Sequence, residues 1–152
     1  MDTITINNNN YQIGNIAKNK YQLLQPLIIS LNPTITTREF NVHLTEILKQ
    51  PNYSCIGIWY NNNLIACCGY WLLYKFYNGK HIEVDNVAVL PNYRNLGLGK
   101  ILMQQIHNIA AFNNCKIIEL NAYVHNNLAH KFYLNLGYKI LGYHFQKTLN
   151  VH

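Results

Sequence analysis

Residues 87–100 read Val-Ala-Val-Leu-Pro-Asn-Tyr-Arg-Asn-Leu-Gly-Leu-Gly-Lys, and this stretch decides the fold. A β-branched run ends at Pro91, and a loop then carries Arg94, Gly97 and Gly99. Apolar residues follow at helical spacing: Leu98, Ile101, Leu102, Ile106, Ile109 and Ala110. Strand, glycine turn and helix start together make a cradle for an anion. The first-turn N–H groups of a helix have no partners inside it, its dipole adds partial positive charge there, and glycine lets the backbone approach a ligand closely. Two nucleotide fingerprints are excluded by spacing. Leu102 stands where a dinucleotide-binding turn has its third glycine, and Lys100 precedes Ile101 instead of the Ser or Thr of a P-loop. By itself Arg94-x-x-Gly97-x-Gly99 also fits a plain left-handed turn before an ordinary helix.

The chain has 152 residues, enough for one domain with a real core. Charged residues make up 12% of it, about half the usual share. About two dozen asparagines supply the missing polarity, and the run Asn7–Asn10 reads as a loop or linker. The formal charge is +6, yet no Lys/Arg cluster forms. Scattered basic residues argue against a nucleic-acid module and suit a polyanionic small ligand. Apolar runs stay far below the ~20 residues of a membrane span, and no basic-then-apolar leader opens the sequence. Cys55, Cys67, Cys68 and Cys115 lack Cys-x-x-Cys spacing and read as reduced thiols of a cytoplasmic protein. His43, His81, His107, His125, His130 and His144 show no metal-binding spacing, so no metal is expected.

Patterning gives a mixed α/β order. Thr3–Ile6 alternates as a first strand, and residues 16–31 are apolar at helical spacing, with Pro26 kinking or restarting the helix. Thr36 with Glu39 is a capping-box signal for a helix ending before Pro51. Residues 55–60, 64–77 and 81–89 read as three antiparallel strands, turned at Asn61-Asn62-Asn63 and Asn78-Gly79. A helix over about 97–113, a strand over 116–124, a short helix over about 127–136 stopped by Gly137, and a final strand or strand pair over 138–149 complete the chain.

A second motif, Asn126-x-x-Ala129-x-x-Phe132-Tyr133-x-x-x-Gly137-Tyr138, stands downstream of the first. In this order and spacing the two resemble the signatures of the GCN5-related N-acetyltransferases (GNAT). The resemblance extends from about Thr36 to Leu149. It implies a single N-acetyltransferase domain over residues 1–152. The fold would be a mixed, mostly antiparallel sheet of six to seven strands with about four helices, and a parallel strand pair splayed at the cofactor site. It also implies acetyl-CoA as co-substrate and a primary amine as acceptor, a small molecule first and a protein or peptide second. A non-catalytic acyl-CoA-binding module is the competing class, and the resemblance leaves room for a homodimer.

Carried onto this sequence, the resemblance assigns the pantetheine arm to the backbone of Val87, Ala88 and Val89, by strand-like addition. The pyrophosphate falls to the N–H groups of Asn95, Leu96, Gly97, Leu98, Gly99 and Lys100. Arg94 adds charge or braces the loop, and Asn126 contacts the arm or caps its helix. Tyr133 matches the general acid that protonates the departing thiolate, and its other reading is a core residue sharing an apolar face with Ala129, Phe132 and Leu136. For the base, Glu83 and Asp85 lie two apart on one strand and are expected to face the same side as Val87 and Val89. Asp85 matches small-amine enzymes and Glu83 histone-type ones; Asp85 is preferred, Glu119 is third, and solvated or acceptor-binding carboxylates are the plain alternative. Tyr70, Trp71, Tyr74, Phe76 and Tyr77 are available to line an acceptor pocket. Cys67 and Cys68 have no patterned base, so a covalent acetyl-cysteine is not expected.

Overall fold

The structure, a computed structural model, describes residues 1–149. It divides into two compact units, one of residues 1–120 and one beginning at Asn121.

The first unit is built on a six-stranded sheet in the order β1 to β6: β1 (Asp2–Ile6), β2 (Asn9–Asn15), β3 (Tyr53–Tyr60), β4 (Asn63–Lys75), β5 (Gly79–Val89) and β6 (Ile117–Leu120). Neighbours are antiparallel until the last pair, β5 and β6, which run parallel. Left-handed residue pairs turn the first two hairpins, Asn7-Asn8 (φ 48° and 64°) and Asn61-Asn62 (φ 48° and 65°). Asparagine tolerates these angles because its short polar side chain bonds locally. The asparagine run expected as a loop or linker is therefore only half turn. Asn9 and Asn10 open β2, a strand the patterning over residues 9–15 did not reveal. Residues 18–24 form a 3-10 turn, and α1 (Gln25–Leu31) starts with Pro26 in its first turn, where a missing N–H is harmless. In α2 (Thr37–Leu48) the Thr36 hydroxyl accepts from the Glu39 N–H and the Glu39 carboxylate accepts from the Thr36 N–H, the expected capping box.

Cross-strand partners share a face, and this sorts the sheet. One face carries Tyr53, Cys55, Trp59 and Cys67 under Tyr21, Leu24, Leu27 and Phe40 from the 3-10 turn, α1 and α2. The opposite face carries Ile13, Ile56, Ile58, Ile82 and Val84, and α3 (Leu98–Phe112) packs against β3, β4 and β5. Leu98, Leu102, Met103 and Ile106 of α3 are at most 1% exposed. Burying each stabilises the fold by about 1.5–3 kcal/mol.

In the second unit α4 (Asn127–Asn135) is capped at both ends. The Asn126 carboxamide oxygen accepts from the Ala129 N–H at 3.0 Å. Gly137 is left-handed (φ 87°). The Gly137 and Tyr138 N–H groups close on the Leu134 and Tyr133 carbonyls at 3.0 and 3.1 Å, the hydrogen-bond pair of a Schellman stop. Two strand expectations are corrected here. The strand read over 116–124 ends at Leu120, and residues 139–149 adopt no regular secondary structure. Their β-like composition (Ile140, Leu141, Tyr143, Phe145) is not matched by a ladder, and composition without a paired neighbour does not make a strand.

Candidate active site

The α3 N-terminus has the form the sequence suggested. Gly97 is its N-cap, left-handed at φ 79° and ψ 4°, with no side-chain cap and no acidic residue in the first turn. The first intrahelical bond runs from the Ile101 N–H to the Gly97 carbonyl at 3.1 Å, so the N–H groups of Leu98, Gly99 and Lys100 have no partner within the helix. A Cβ on Gly97 would meet nothing within 4 Å. The space over the turn is open, and the Lys100 side chain beside it is exposed. Asn95, also left-handed at φ 63°, shapes the preceding loop. These residues fit a polyanion held by backbone donors.

Arg94 supports the loop: its Nε donates to the Val89 carbonyl at 3.1 Å, and its Nη2 lies 3.5 Å from the Ser30 hydroxyl. Nε is thus engaged with the end of β5.

β5 carries an irregularity the sequence did not reveal. Gly69 pairs with Asp85 and Cys67 with Ala88, so Asn86 and Val87 together oppose Cys68. Asn86 sits at φ 52°. This is a bulge, and it resets the alternation of the strand. Asp85 and Ala88 share one face, whereas Val87 and Val89 point to the other. The expectation that Glu83 and Asp85 face the side of Val87 and Val89 is corrected accordingly. The parallel ladder to β6 is also short, pairing His81 to Val84 with Ile117 to Leu120. Beyond Val84, β5 continues for five residues without β6 beside it.

The two carboxylates have different surroundings. Asp85 is half-buried, and burial pushes its pKa above the ordinary carboxylate value, against hydrogen bonds from Trp71 and Asn86 that lower it. Around it stand Trp71, Tyr53 (ring centroids 4.6 Å apart) and Cys55. The Tyr53 hydroxyl occupies the place a side chain would take at Gly69, where a Cβ would collide with it. Glu83 instead lies 3.5 Å from the Lys75 ammonium. Trp71 is the expected pocket aromatic that reaches Asp85; Tyr74, Phe76 and Tyr77 are exposed and Tyr70 pairs with Val84 on the other face. Glu119 accepts from Lys75 and, at 2.9 Å, from Asn78. Both carboxylates hold Lys75 in its charged form, Glu119 chiefly through its hydrogen bond. His81 completes this group from beneath, fully buried, with its Nε2 3.3 Å from Glu119. Histidine spacing along the chain could not reveal this group, because parallel pairing supplies Glu119. Its one sequence-level trace is the β-α-β order that makes β5 and β6 neighbours.

Burial raises the Cys67 and Cys68 thiols well above their ordinary range and Cys55 to about 11, so none is a thiolate at neutral pH. A cleft of about 290 Å³ between the β1–β2 edge and α3, lined by Met1, Ile13, Gln105 and Ile109, includes none of the candidate residues. In the second unit the Tyr133 ring is half-buried and packs edge-on against Phe132 (5.0 Å) and Tyr138 (5.8 Å). Asn126 uses its oxygen as the α4 cap, leaving its Nδ2 donors. No helix among the described residues is long and apolar enough to cross a membrane.

Comparison with known proteins agrees with this architecture. The model of the Acetyltransferase (GNAT) family matches residues 21–138. The N-terminal acetyltransferase B complex catalytic subunit naa20 of Schizosaccharomyces pombe is 28% identical over 122 residues, covering 76% of this chain and 67% of that protein. Mouse thialysine N-epsilon-acetyltransferase is 24% identical over 99 residues, covering 64% of this chain and 55% of that protein. Among solved structures, aminoglycoside N-acetyltransferase AAC(6')-Iy in complex with CoA superposes with a TM-score of 0.79 at 16% identity, over 93% of this chain and 95% of that one. A putative acetyltransferase of Agrobacterium tumefaciens gives a TM-score of 0.77 at 21% identity, over 91% and 99%. The motif pair, the six-stranded sheet with its short parallel pair, and a family match across most of the length lead to one assignment: this chain belongs to the acetyltransferase (GNAT) family.

Proposed function

We propose that the chain is an acetyl-CoA-dependent N-acetyltransferase that moves the acetyl group directly to a primary amine of a small molecule. The observation that carries this reading is the bare, glycine-opened N-terminus of α3 at the end of a strand whose far half lacks a parallel neighbour. Bound acetyl-CoA supplies an activated thioester. The N–H groups from Asn95 to Lys100 hold its pyrophosphate, with the Lys100 ammonium adding charge. The backbone of Val87, Ala88 and Val89 receives the arm as an added strand, and the Val89 carbonyl keeps its Arg94 bond meanwhile, since a carbonyl oxygen has two lone pairs. The Nδ2 of Asn126 is the donor left to meet the arm.

Asp85 takes a proton from the acceptor ammonium, directly or through water. Its burial raises its proton affinity toward that of a useful base at neutral pH. Glu83, tied to Lys75, is the weaker candidate and contributes negative charge that attracts a cationic acceptor. Tyr133 gives its phenolic proton to the departing thiolate. The raised cysteine pKa values support direct transfer over a covalent acetyl-cysteine. Both compact units belong to one acetyltransferase domain in this reading, acting in the cytoplasm. The likeness to naa20 favours a second reading, in which the acceptor is the α-amine of a peptide.

The deciding experiment is a screen of aminoglycosides, thialysine, other small amines and short peptides, with free CoA as the readout. Turnover on small amines is expected. Turnover on peptides alone selects the second reading, and acetyl-CoA binding with no turnover on any amine defeats both.

A further inference from the structure

The cluster at the lower end of β5 is arranged as a metal site. His81 is 0% exposed, and its Nδ1 lies 2.9 Å from the Gly79 carbonyl. A carbonyl accepts only, so Nδ1 carries a proton, and in the neutral ring Nε2 is then the nitrogen with the lone pair. Nε2 has no hydrogen-bond partner, and the nearest Glu119 oxygen stands 3.3 Å from it, outside hydrogen-bond geometry. Two electron-rich atoms this close want a cation beside both, and the Lys75 ammonium, which bonds Glu119 and Glu83, leaves Nε2 without a partner. Fixing a histidine ring through a hydrogen bond on its other nitrogen is the usual preparation of a metal ligand.

We propose that His81 Nε2, Glu119 and Glu83 bind one zinc-class divalent ion, and that Lys75 is the built-in cation the ion displaces. Ligand atoms of the three residues lie within 4.8 Å of one another. Zinc bonds of about 2.0–2.1 Å in a tetrahedron put neighbouring ligands about 3.3–3.4 Å apart. The His81–Glu119 separation of 3.3 Å already has that value. Glu83, half-exposed, closes the remaining gap by a side-chain adjustment. An imidazole nitrogen beside two carboxylates selects zinc-like ions over calcium or magnesium, which take oxygen ligands. A fourth position stays open to water. Charge balances, since a dication replaces one ammonium between two carboxylates. Lys75 has a retreat, its ammonium already lying 6.0 Å over the exposed Tyr77 ring. The ion would clip β6 to β5, where the sheet ladder is shortest.

The test uses the full, untagged chain, freed of metal by chelation and titrated with Co(II) by visible absorption, then with Zn(II) in competition. One equivalent with tetrahedral cobalt bands and no thiolate charge-transfer band is expected. Glu119→Gln should weaken binding about tenfold or more, and Lys75→Met should tighten it about tenfold by removing a competing positive charge. Both positions are partly exposed, so both variants should keep the parent's circular dichroism, whereas removing the buried His81 ring risks the fold. The proposal is overturned by the absence of saturable binding, by a thiolate band, or by affinities that neither substitution moves. Binding is read without turnover, so the outcome is independent of the acetyl-transfer reading.

Discussion

The N-termini of α2 and α4 look after themselves, and that of α3 does not. Thr36 and Glu39 close the start of α2 with a reciprocal pair of hydrogen bonds and place a carboxylate on its positive end. Asn126 closes α4 with its side-chain oxygen. α3, the longest helix described, opens on a left-handed glycine with neither cap nor acid. A side-chain cap is worth about 1 kcal/mol to a helix. α1 has no side-chain cap either, but it continues from the 3-10 turn with Pro26 in its first turn; α3 opens bare from a loop, free for something outside the chain.

The largest expected effect separates α4 from α3. Tyr133→Phe should lower kcat by about 10²–10⁴ with the Kd for acetyl-CoA unchanged, as loss of a general acid requires; unaltered turnover removes Tyr133 from the chemistry. Giving α3 what its counterparts have is the next largest. Gly97→Asp puts a negative charge at the helix start, at some cost in strain because residue 97 is left-handed, so KM for acetyl-CoA should rise about 100-fold while kcat changes little. A normal KM would mean the bare N-terminus is not the anion site.

Asp85 belongs to neither helix and is read through pH. Burial raises its pKa, so the fold favours its neutral form. That contribution to stability is complete below the ordinary carboxylate pKa and is lost as pH rises through the raised one. Asp85→Asn should therefore gain in melting temperature relative to the parent as pH rises across that window. It should also remove the acidic limb of the kcat/KM profile, while Glu83→Gln keeps it. A limb surviving in the Asp85 variant assigns the base elsewhere. The smallest effects compare the caps themselves. Thr36→Ala and Asn126→Ala should each cost about 1 kcal/mol, measured by chemical denaturation. KM for acetyl-CoA should rise only in the second, through the lost Nδ2 donors.

Much of this was legible before the fold was known, where local chemistry carries the signal. The Thr36/Glu39 box, the asparagine turns, Gly137 as a helix stop and the β5–α3 cradle each need only a few consecutive residues. What escaped reading depends on neighbours. The Asn86 bulge is invisible in a strand that still reads Val-Ala-Val, so the facing of Val87 and Val89 came out reversed. Glu119 joins His81 and Glu83 only through parallel register. Residues 138–149 have strand composition and no ladder, because composition does not name a partner. β2 escaped because it opens on asparagines and buries only Tyr11 and Ile13.

The overlap between Gly69 and Tyr53 has a consequence for how this sequence can drift. One residue is missing its side chain so that the other's hydroxyl can lie there. Neither position can be varied freely alone: any side chain at 69 demands a smaller neighbour at 53, and a smaller residue at 53 leaves a void beside Asp85. Across descendants of this gene the two positions should change together, as a covarying pair, and the polarity around the proposed base should be inherited as a unit.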